Sequence, residues 1–408
     1  MERYSEYKDS GVKWLGEIPS HWELRKAKYL WKESFSISEK GSEELLSVSQ
    51  YDGVTPSKGE SRSESLKGYK IVNENDLVIN IMLAWLGGLG VSKYNGIVSP
   101  AYCIYKNTAN SNPCYLHYLY KTPLYLAEFA RHSTGVVPSR WRMYSDDFGQ
   151  VLTLLPPLEE QDSIVSYLDS VTSKIDRAIA QQQRMIELLN ERKQIIINNA
   201  VTKGLDPNVP MKDSGVEWFG MIPEHWELKP YRYLFYNLDY LRMPITADQR
   251  SRNNPLYNYY GASGVIDKID YYNVDDKVLL IGEDGANLLL RNLPLIYKAE
   301  GKFWVNNHAH ILKPIKDNYD YMAYVMEAAD YTLFITGSAQ PKLSQANLNS
   351  VKLPIPPYKE QKDIVAYLWK RTNKIDIAIE SANKQISLLQ ERKQIIINDV
   401  VTGKVRVV

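Results

Sequence analysis

Two stretches of this 408-residue chain occur twice, and nothing else in the sequence restricts its architecture as much. Lys8 to Leu24 recurs as Lys212 to Leu228 at an offset of 204, with 13 of 17 positions identical. Pro156 to Thr202 recurs as Pro356 to Thr402 at an offset of 200, with 27 identities in 47 positions. Residues 25–155 and 229–354, which lie between these blocks, align poorly apart from echoes such as Thr134-Gly135 and Thr336-Gly337. A chain with this pattern uses one framework twice and holds two different inserts in it.

The longer block reads as helix. Pro156-Pro157 and Pro356-Pro357 block a helix before they end, and from Glu160-Gln161 there is no Pro or Gly until Gly204. The heptad register Val165, Leu168, Thr172, Ile175, Ile179, Gln182, Ile186, Leu189, Lys193, Ile196 is apolar at seven of ten positions. Its counterpart Val365, Leu368, Thr372, Ile375, Ile379, Ala382, Ile386, Leu389, Lys393, Ile396 is apolar at eight of ten. Each helix thus carries a narrow seam suited to a coiled coil, and two matched seams in one chain satisfy each other. About 40 residues at 1.5 Å each span roughly 60 Å. The repeated Glu-Arg-Lys-Gln-Ile-Ile-Ile-Asn stretch (Glu191 to Asn198, Glu391 to Asn398) is either a partner-docking surface or a capped helix end. The cyclic order of the blocks, with the C-terminus returning toward the N-terminus, predicts a pseudo-two-fold object with antiparallel helices and one insert at each end.

Both inserts read as mixed α/β. Asp76 to Asn80 and Lys277 to Ile281 are candidate buried strands, followed by the Gly-rich turns Gly87-Gly88-Leu89-Gly90 and Gly282-Glu283-Asp284-Gly285. Tyr115 to Arg131 and Tyr319 to Thr332 read as helices. The fold class is therefore α+β, two mixed α/β inserts separated by two long antiparallel helices.

Composition removes several function classes. The charged start Met1-Glu2-Arg3-Tyr4 leads no apolar run, and no stretch approaches the roughly 20 apolar residues of a membrane span, so a cytoplasmic protein with no membrane partner is expected. Cys103 and Cys114 offer neither a disulfide framework nor a zinc spacing. Of six His only His308 and His310 are close, alternating with Asn306 and Asn307 in a strand-like run, and they read as strand histidines with satisfied partners; no metal is expected. Lys+Arg 49 against Asp+Glu 48 leaves a net charge of +1, so any basic face must be local.

A twice-repeated Pro-Pro-x-x-Glu-Gln-x-x-Ile-Val-x-Tyr-Leu after a variable region, then a long helix, resembles the DNA-specificity subunit of type I restriction-modification systems. The resemblance covers essentially the whole chain. Its carriers are Leu155 to Gln161 with Ile164 and Leu168, Ile355 to Gln361 with Ile364 and Leu368, the segment Gly337-Ser338-Ala339-Gln340-Pro341-Lys342-Leu343, and Tyr260-Gly261-Ala262-Ser263-Gly264. The first insert has Thr134-Gly135-Val136-Val137-Pro138-Ser139-Arg140 where the second has the Gln340 segment. The resemblance implies a target-recognition domain over residues 1–157, a spacer helix over 158–204, a second target-recognition domain over 205–357 and a second spacer helix over 358–408. Each domain would read one half of a bipartite double-stranded DNA target, the helices setting the spacing. Domains facing one side of B-DNA sit about 34 to 36 Å apart per helical turn. The implied partners are two methyltransferase subunits and, for cleavage, restriction/translocase subunits. S-adenosylmethionine and ATP would belong to those partners, and this chain would need no cofactor of its own.

Residues 25–155 hold 15 Lys+Arg and 12 Asp+Glu, and residues 229–354 hold 14 and 13, so phosphate contacts must be concentrated locally. Arg131, His132, Arg140, Trp141 and Arg142 form a run free of acids from Arg131 to Tyr144. It is either a surface loop whose Arg forks meet phosphates or guanine O6 and N7, or a solvated loop with Trp141 buried. Lys58 and Arg62, with Lys67 and Lys70, form a second candidate, with Gln50 and Tyr51 just upstream. In the second insert Gln249, Arg250, Arg252, Asn253 and Asn254 combine charge with amides able to pair with adenine. Tyr257, Tyr259 and Tyr260 flank them and line either a groove or the core. Gln340, Lys342, Ser344 and Gln345 are a further polar run in an expected loop.

Enzymatic readings fare poorly. Asn112-Pro113-Cys114-Tyr115 comes nearest to an amino-methyltransferase motif, but Cys replaces the second Pro and no convincing Gly-rich cofactor loop follows an early strand. Asp284, Glu300 and Lys302 have a tolerable nuclease spacing of a kind that arises often by chance. There is no P-loop and no Gly-x-Ser-x-Gly elbow, so no catalytic residues are assigned. A coiled-coil scaffold without DNA specificity, the alternative, leaves the divergent aromatic-rich inserts without a role.

Overall fold

A computed structural model describes residues 2–57, 65–137, 140–247, 250, 255–337 and 341–407. The chain divides into two compact units, one formed by residues 1–182 and 383–408, the other by residues 183–382. The divisions fall inside the two long helices, Leu158–Lys203 and Tyr358–Val401, so each helix contributes one half to each unit. Among the described residues no helix is long and apolar enough to cross a membrane.

The repeated blocks build the same frame in both units. In the first, hairpin Tyr7–Asp9 with Glu17–Pro19 leads into strand Glu23–Lys26, which pairs antiparallel with Leu152–Leu155. In the second, Met211–Asp213 with Met221–Pro223 leads into Glu227–Pro230, paired with Lys352–Ile355. The two ends of each insert are thus stitched together immediately before the Pro-Pro pair starts the helix. Each long helix ends at a glycine in the left-handed region, Gly204 at φ +74 and Gly403 at φ +75. A Cβ on Gly403 would meet Pro19 at 2.5 Å, and one on Gly204 would meet the Trp226 ring at 3.3 Å, so the helix stop and the repeated Trp are fitted to each other.

The cores follow from this frame. In the first unit Trp22, Tyr115, Tyr120, Tyr125 and Phe129 pack with Ile164 and Leu168 of one helix and Ile397, Val400 and Val401 of the other. In the second unit Trp226, Tyr231, Tyr321 and Tyr331 pack with Ile364 and Leu368 and with Ile197 and Val201. The charged position in each seam, Lys193 or Lys393, reaches an acid: Lys193 Nζ lies 2.6 Å from Asp376 Oδ1 and Lys393 Nζ 2.7 Å from Asp176 Oδ1. These pairs are half exposed and contribute at most about 1 kcal/mol each.

The insert of the first unit holds a four-stranded sheet in the order Trp31–Ser34, Tyr102–Asn107, Leu77–Asn80, Leu89–Val91. The second holds six strands in the order Phe235–Asn237, Ala309–Pro314, Val274–Gly282, Ile296–Val305, Tyr257–Gly261, Gly264–Ile269. Their first four strands share one order, so the inserts are variants of one scaffold despite their divergent sequences. The expected helix Tyr115 to Arg131 is two helices, Pro113–Tyr120 and Pro123–Arg131, because Pro123 cannot continue a helix and Thr122 caps a new one. The expected helix Tyr319 to Thr332 stops earlier, at Ala328.

His117 joins the first helix of that pair to the sheet, its Nδ1 accepting the Val91 amide at 3.1 Å. Burial, then Lys121 and Lys93, push its pKa from 6.5 down to about 4. The folded value lies below the unfolded one, so this neutral histidine contributes stability that is present above about pH 6.5 and lost as the pH falls through about 4. Thermal unfolding of His117→Asn should therefore lose less stability than the wild type between pH 6.5 and 4.

Candidate nucleic-acid interface

Three loops of the first unit meet at one edge of its sheet. The turn at Gln50-Tyr51 joins strands Leu46–Ser49 and Gly53–Pro56. The segment 81–88 follows strand Leu77–Asn80. The loop after helix Pro123–Arg131 folds back on itself, with Thr134 and Arg142 exchanging both backbone bonds at 3.0 and 2.9 Å. Lys121 ties the first two together, its Nζ donating to the carbonyls of Gln50 at 2.7 Å and Gly87 at 2.9 Å. The third is fixed to the second by Met143 N–H on the Ile81 carbonyl at 3.0 Å.

This gathers Gln50, Tyr51, Arg140, Trp141 and Arg142. Tyr51 is 82% exposed. Trp141 is half-buried edge-on against Trp85, with ring centroids 5.3 Å apart. Arg142 bonds the Arg140 carbonyl at 3.0 Å and lies 3.7 Å from the Met82 sulfur. The exposed apolar side chains Met82, Leu83 and Leu86 complete the surface. Arg131 stands apart from it. Its guanidinium forks onto Glu128 at 2.8 and 2.6 Å, and it lines a separate recess with Lys13, Trp14 and His132. Burial alone would raise the Glu128 carboxyl, but Arg131 and His132 hold it below its ordinary value. The acid-free run from Arg131 overlooked this partner one helical turn upstream, and Arg131 is corrected to an ion-paired side chain.

The second unit repeats the arrangement. Strand Ile335–Thr336 pairs with Lys342–Leu343, Thr336 facing Lys342 as Thr134 faces Arg142. Leu343 N–H donates to the Glu283 carbonyl at 2.9 Å, as Met143 does to Ile81. Arg142 and Lys342 therefore hold equivalent places, and the Thr134 segment is the counterpart of the Gln340 segment. Around Lys342 the structure collects Glu283, 3.4 Å from its Nζ, and Arg242, whose guanidinium donates to Glu283 at 2.9 Å and to the Asn307 carbonyl at 3.3 Å. His308 lies 3.4 Å from Asp284. Gln345 is exposed at the start of helix Gln345–Ser350, which Ser344 caps.

Arg250 lies 4.4 Å from the Tyr259 ring centroid, with Nη1 3.5 Å from Asp267. Tyr259 and Tyr260 are 1% and 8% exposed, so both belong to the core, and Tyr260 shows only an edge to the recess lined by Val265 and Tyr297. Neighbouring residues of a strand face opposite sides, and here both sides are covered: Tyr259 packs with Ile269 and Trp304, Tyr260 with Val274 and Phe303. Lys58, Arg62, Gln249, Arg252, Asn253, Asn254 and Gln340 lie outside the described residues. Trp85, Met82, Arg242, Asn307 and His308 were not singled out as contacts from the sequence. The available signal was the Gly-rich turn after the central strand of each insert.

Residues 235–388 match the profile of the type I restriction modification DNA specificity domain. The type I restriction enzyme MjaVIII specificity subunit of Methanocaldococcus jannaschii is 24% identical over 83% of this chain and 80% of its own length. A provisionally named type I restriction enzyme specificity subunit of Haemophilus influenzae is 30% identical over 39% of this chain. The match spans 38% of that relative's length, and 59% of the length of a second Methanocaldococcus jannaschii relative, provisionally named the MjaX specificity subunit, at 28% identity over 62% of this chain. A solved chain described under complex assembly and conformational transition of the type I R-M system shares the fold, with a TM-score of 0.68 at 13% identity over 95% of this chain and 99% of that one. The repeated frame, the paired inserts and these relatives agree: residues 235–388 carry a type I restriction modification DNA specificity domain, and the chain as a whole is similar to type I specificity subunits.

Proposed function

We propose that this chain is the non-catalytic subunit that gives a cytoplasmic type I restriction-modification complex its DNA sequence preference. Each unit reads one half of a bipartite duplex target, the long helices set the spacing, and methyltransferase subunits, two by the symmetry of the repeat, together with restriction/translocase subunits carry the chemistry. One observation carries this reading: equivalent loop clusters on one scaffold present different side chains, Arg140, Trp141 and Arg142 in the first unit and Lys342, Arg242 and Gln345 in the second. A scaffold protein has no use for two distinct polar surfaces at matched positions, whereas a reader of two different half-sites needs them.

The chemistry suits the task. Arg forks meet guanine O6 and N7 or phosphate oxygens, and the apolar edge of Met82 and Trp85 suits thymine methyls. Replacing Arg140 and Arg142 together by Ala should weaken binding of the assembled complex to its target about tenfold or more, since a base-edge contact contributes about 1–3 kcal/mol. Fluorescence anisotropy on labelled duplexes measures this, and unchanged affinity and unchanged sequence preference would remove the hairpin from the interface.

A further inference from the structure

The second unit closes its reading loops around one histidine. His310, on strand Ala309–Pro314, is 1% exposed. Its Nδ1 lies 2.6 Å from Asp239 Oδ2 and its Nε2 lies 2.8 Å from the Leu343 carbonyl oxygen. Both partners are acceptors, so filling both requires a proton on each ring nitrogen. Asp239 is itself held in place, accepting the Ile311 amide at 2.8 Å on its other oxygen, with the Arg242 guanidinium 3.5 Å away. Burial alone would raise the Asp239 carboxyl, but His310, Ile311 and Arg242 keep it below its ordinary value.

Leu343 belongs to the return strand of the hairpin that carries Lys342, and its amide is bound to Glu283. The two groups that His310 joins are therefore the turn Asp239–Leu241 and the base of the hairpin. The equivalent place in the first unit is Cys103, which faces Ile79 as His310 faces Ile281. There the neighbour across the gap is Ser145, 3.9 Å from the sulfur. The clamp is a property of one unit on a scaffold that both share.

We propose that His310 and Asp239 are positioning residues for recognition by the second unit, holding the Lys342 hairpin in the register in which it meets its half-site. This rests on the reading of both units as recognition domains. The first unit, with Cys103 in that place, reads its half-site independently of this clamp.

The test uses the chain assembled with its methyltransferase subunits. Duplexes randomised over both half-sites are selected by the wild type, His310→Ala and Asp239→Asn, and base preference is scored for each half-site separately. Both variants should relax one half-site about tenfold and leave the other unchanged. Asp239→Asn keeps the side chain's size, so it should lose stability but still unfold in one cooperative transition, which thermal unfolding checks. In 15N-histidine spectra of the full chain, one wild-type imidazole should show two protonated nitrogens, and Asp239→Asn should convert it to one protonated and one bare nitrogen. Unchanged preference at both half-sites, equal relaxation at both, or a bare nitrogen on wild-type His310 would each overturn the clamp. A wild-type complex that enriches no sequence at all would overturn the recognition reading beneath it.

Discussion

Inserting seven residues after Gln181 and seven after Ser381 should lengthen the permitted spacer of the DNA target by about three base pairs while leaving both half-sites unchanged. Seven residues add two helical turns, about 10 Å, and duplex DNA advances about 3.4 Å per base pair. A heptad is the insertion that keeps the seam in phase. Leu168, Thr172 and Ile175 on one helix and Leu368, Thr372 and Ile375 on the other are buried, and a whole heptad on each side moves none of them off the interface. A four-residue insertion shifts the apolar stripe round the helix and should instead destabilise the protein. Base preference selected from duplexes with spacers of graded length is the readout. Unchanged spacing, or altered half-site bases, would show that the helices do not set the distance.

The second large effect concerns the repeated Trp. Trp22 and Trp226 are fully buried beside the glycine that ends a long helix. Truncating either to Ala should cost about 3–5 kcal/mol, the range for emptying a large buried aromatic site. The two sites differ in one respect that gives a sharper comparison. Trp226 Nε1 donates to Glu360 at 3.1 Å, whereas Trp22 Nε1 is buried without a partner among the described residues and the matching Glu160 accepts from Tyr4 at 2.6 Å; each Glu also meets a histidine, His225 or His21, at 2.8 Å. Trp226→Phe should therefore cost about 1 kcal/mol more than Trp22→Phe, the net worth of the lost bond. Urea unfolding of the four variants measures this. Equal costs for the two Phe variants would mean that the Glu360 bond contributes nothing net.

The frame was legible because its residues are constrained twice. Pro156-Pro157, the uninterrupted helix and Gly204 each have a copy in a chain where the inserts diverge freely, and the structure uses both copies in the same way. The inserts were legible only in part. The strand at Leu77–Asn80 stands where its apolar run predicted, but Pro123 splits the segment Tyr115 to Arg131 that read as one helix. Tyrosine is equally at home in a core and at a contact surface, which is why Tyr259 and Tyr260 could not be placed before the covering layers were seen. Arg131 was read from its downstream neighbours, while its partner Glu128 lies three residues upstream on the same helix face. The equivalence of Arg142 and Lys342 was hidden because the segments that lead from the shared Thr-Gly to them differ in length and sequence. The backbone pairing of Thr134 with Arg142 and of Thr336 with Lys342, and the amide bonds of Met143 and Leu343, disclose it.

The central claim is that this chain alone decides which sequences its complex marks. The most direct measurement is a genome-wide map of methylated adenines in cells that carry the methyltransferase subunit, with and without this gene. The account predicts a two-part motif with a fixed gap that is present with the gene and vanishes without it, both halves being lost together. An active methyltransferase whose pattern is the same in the two strains would contradict it.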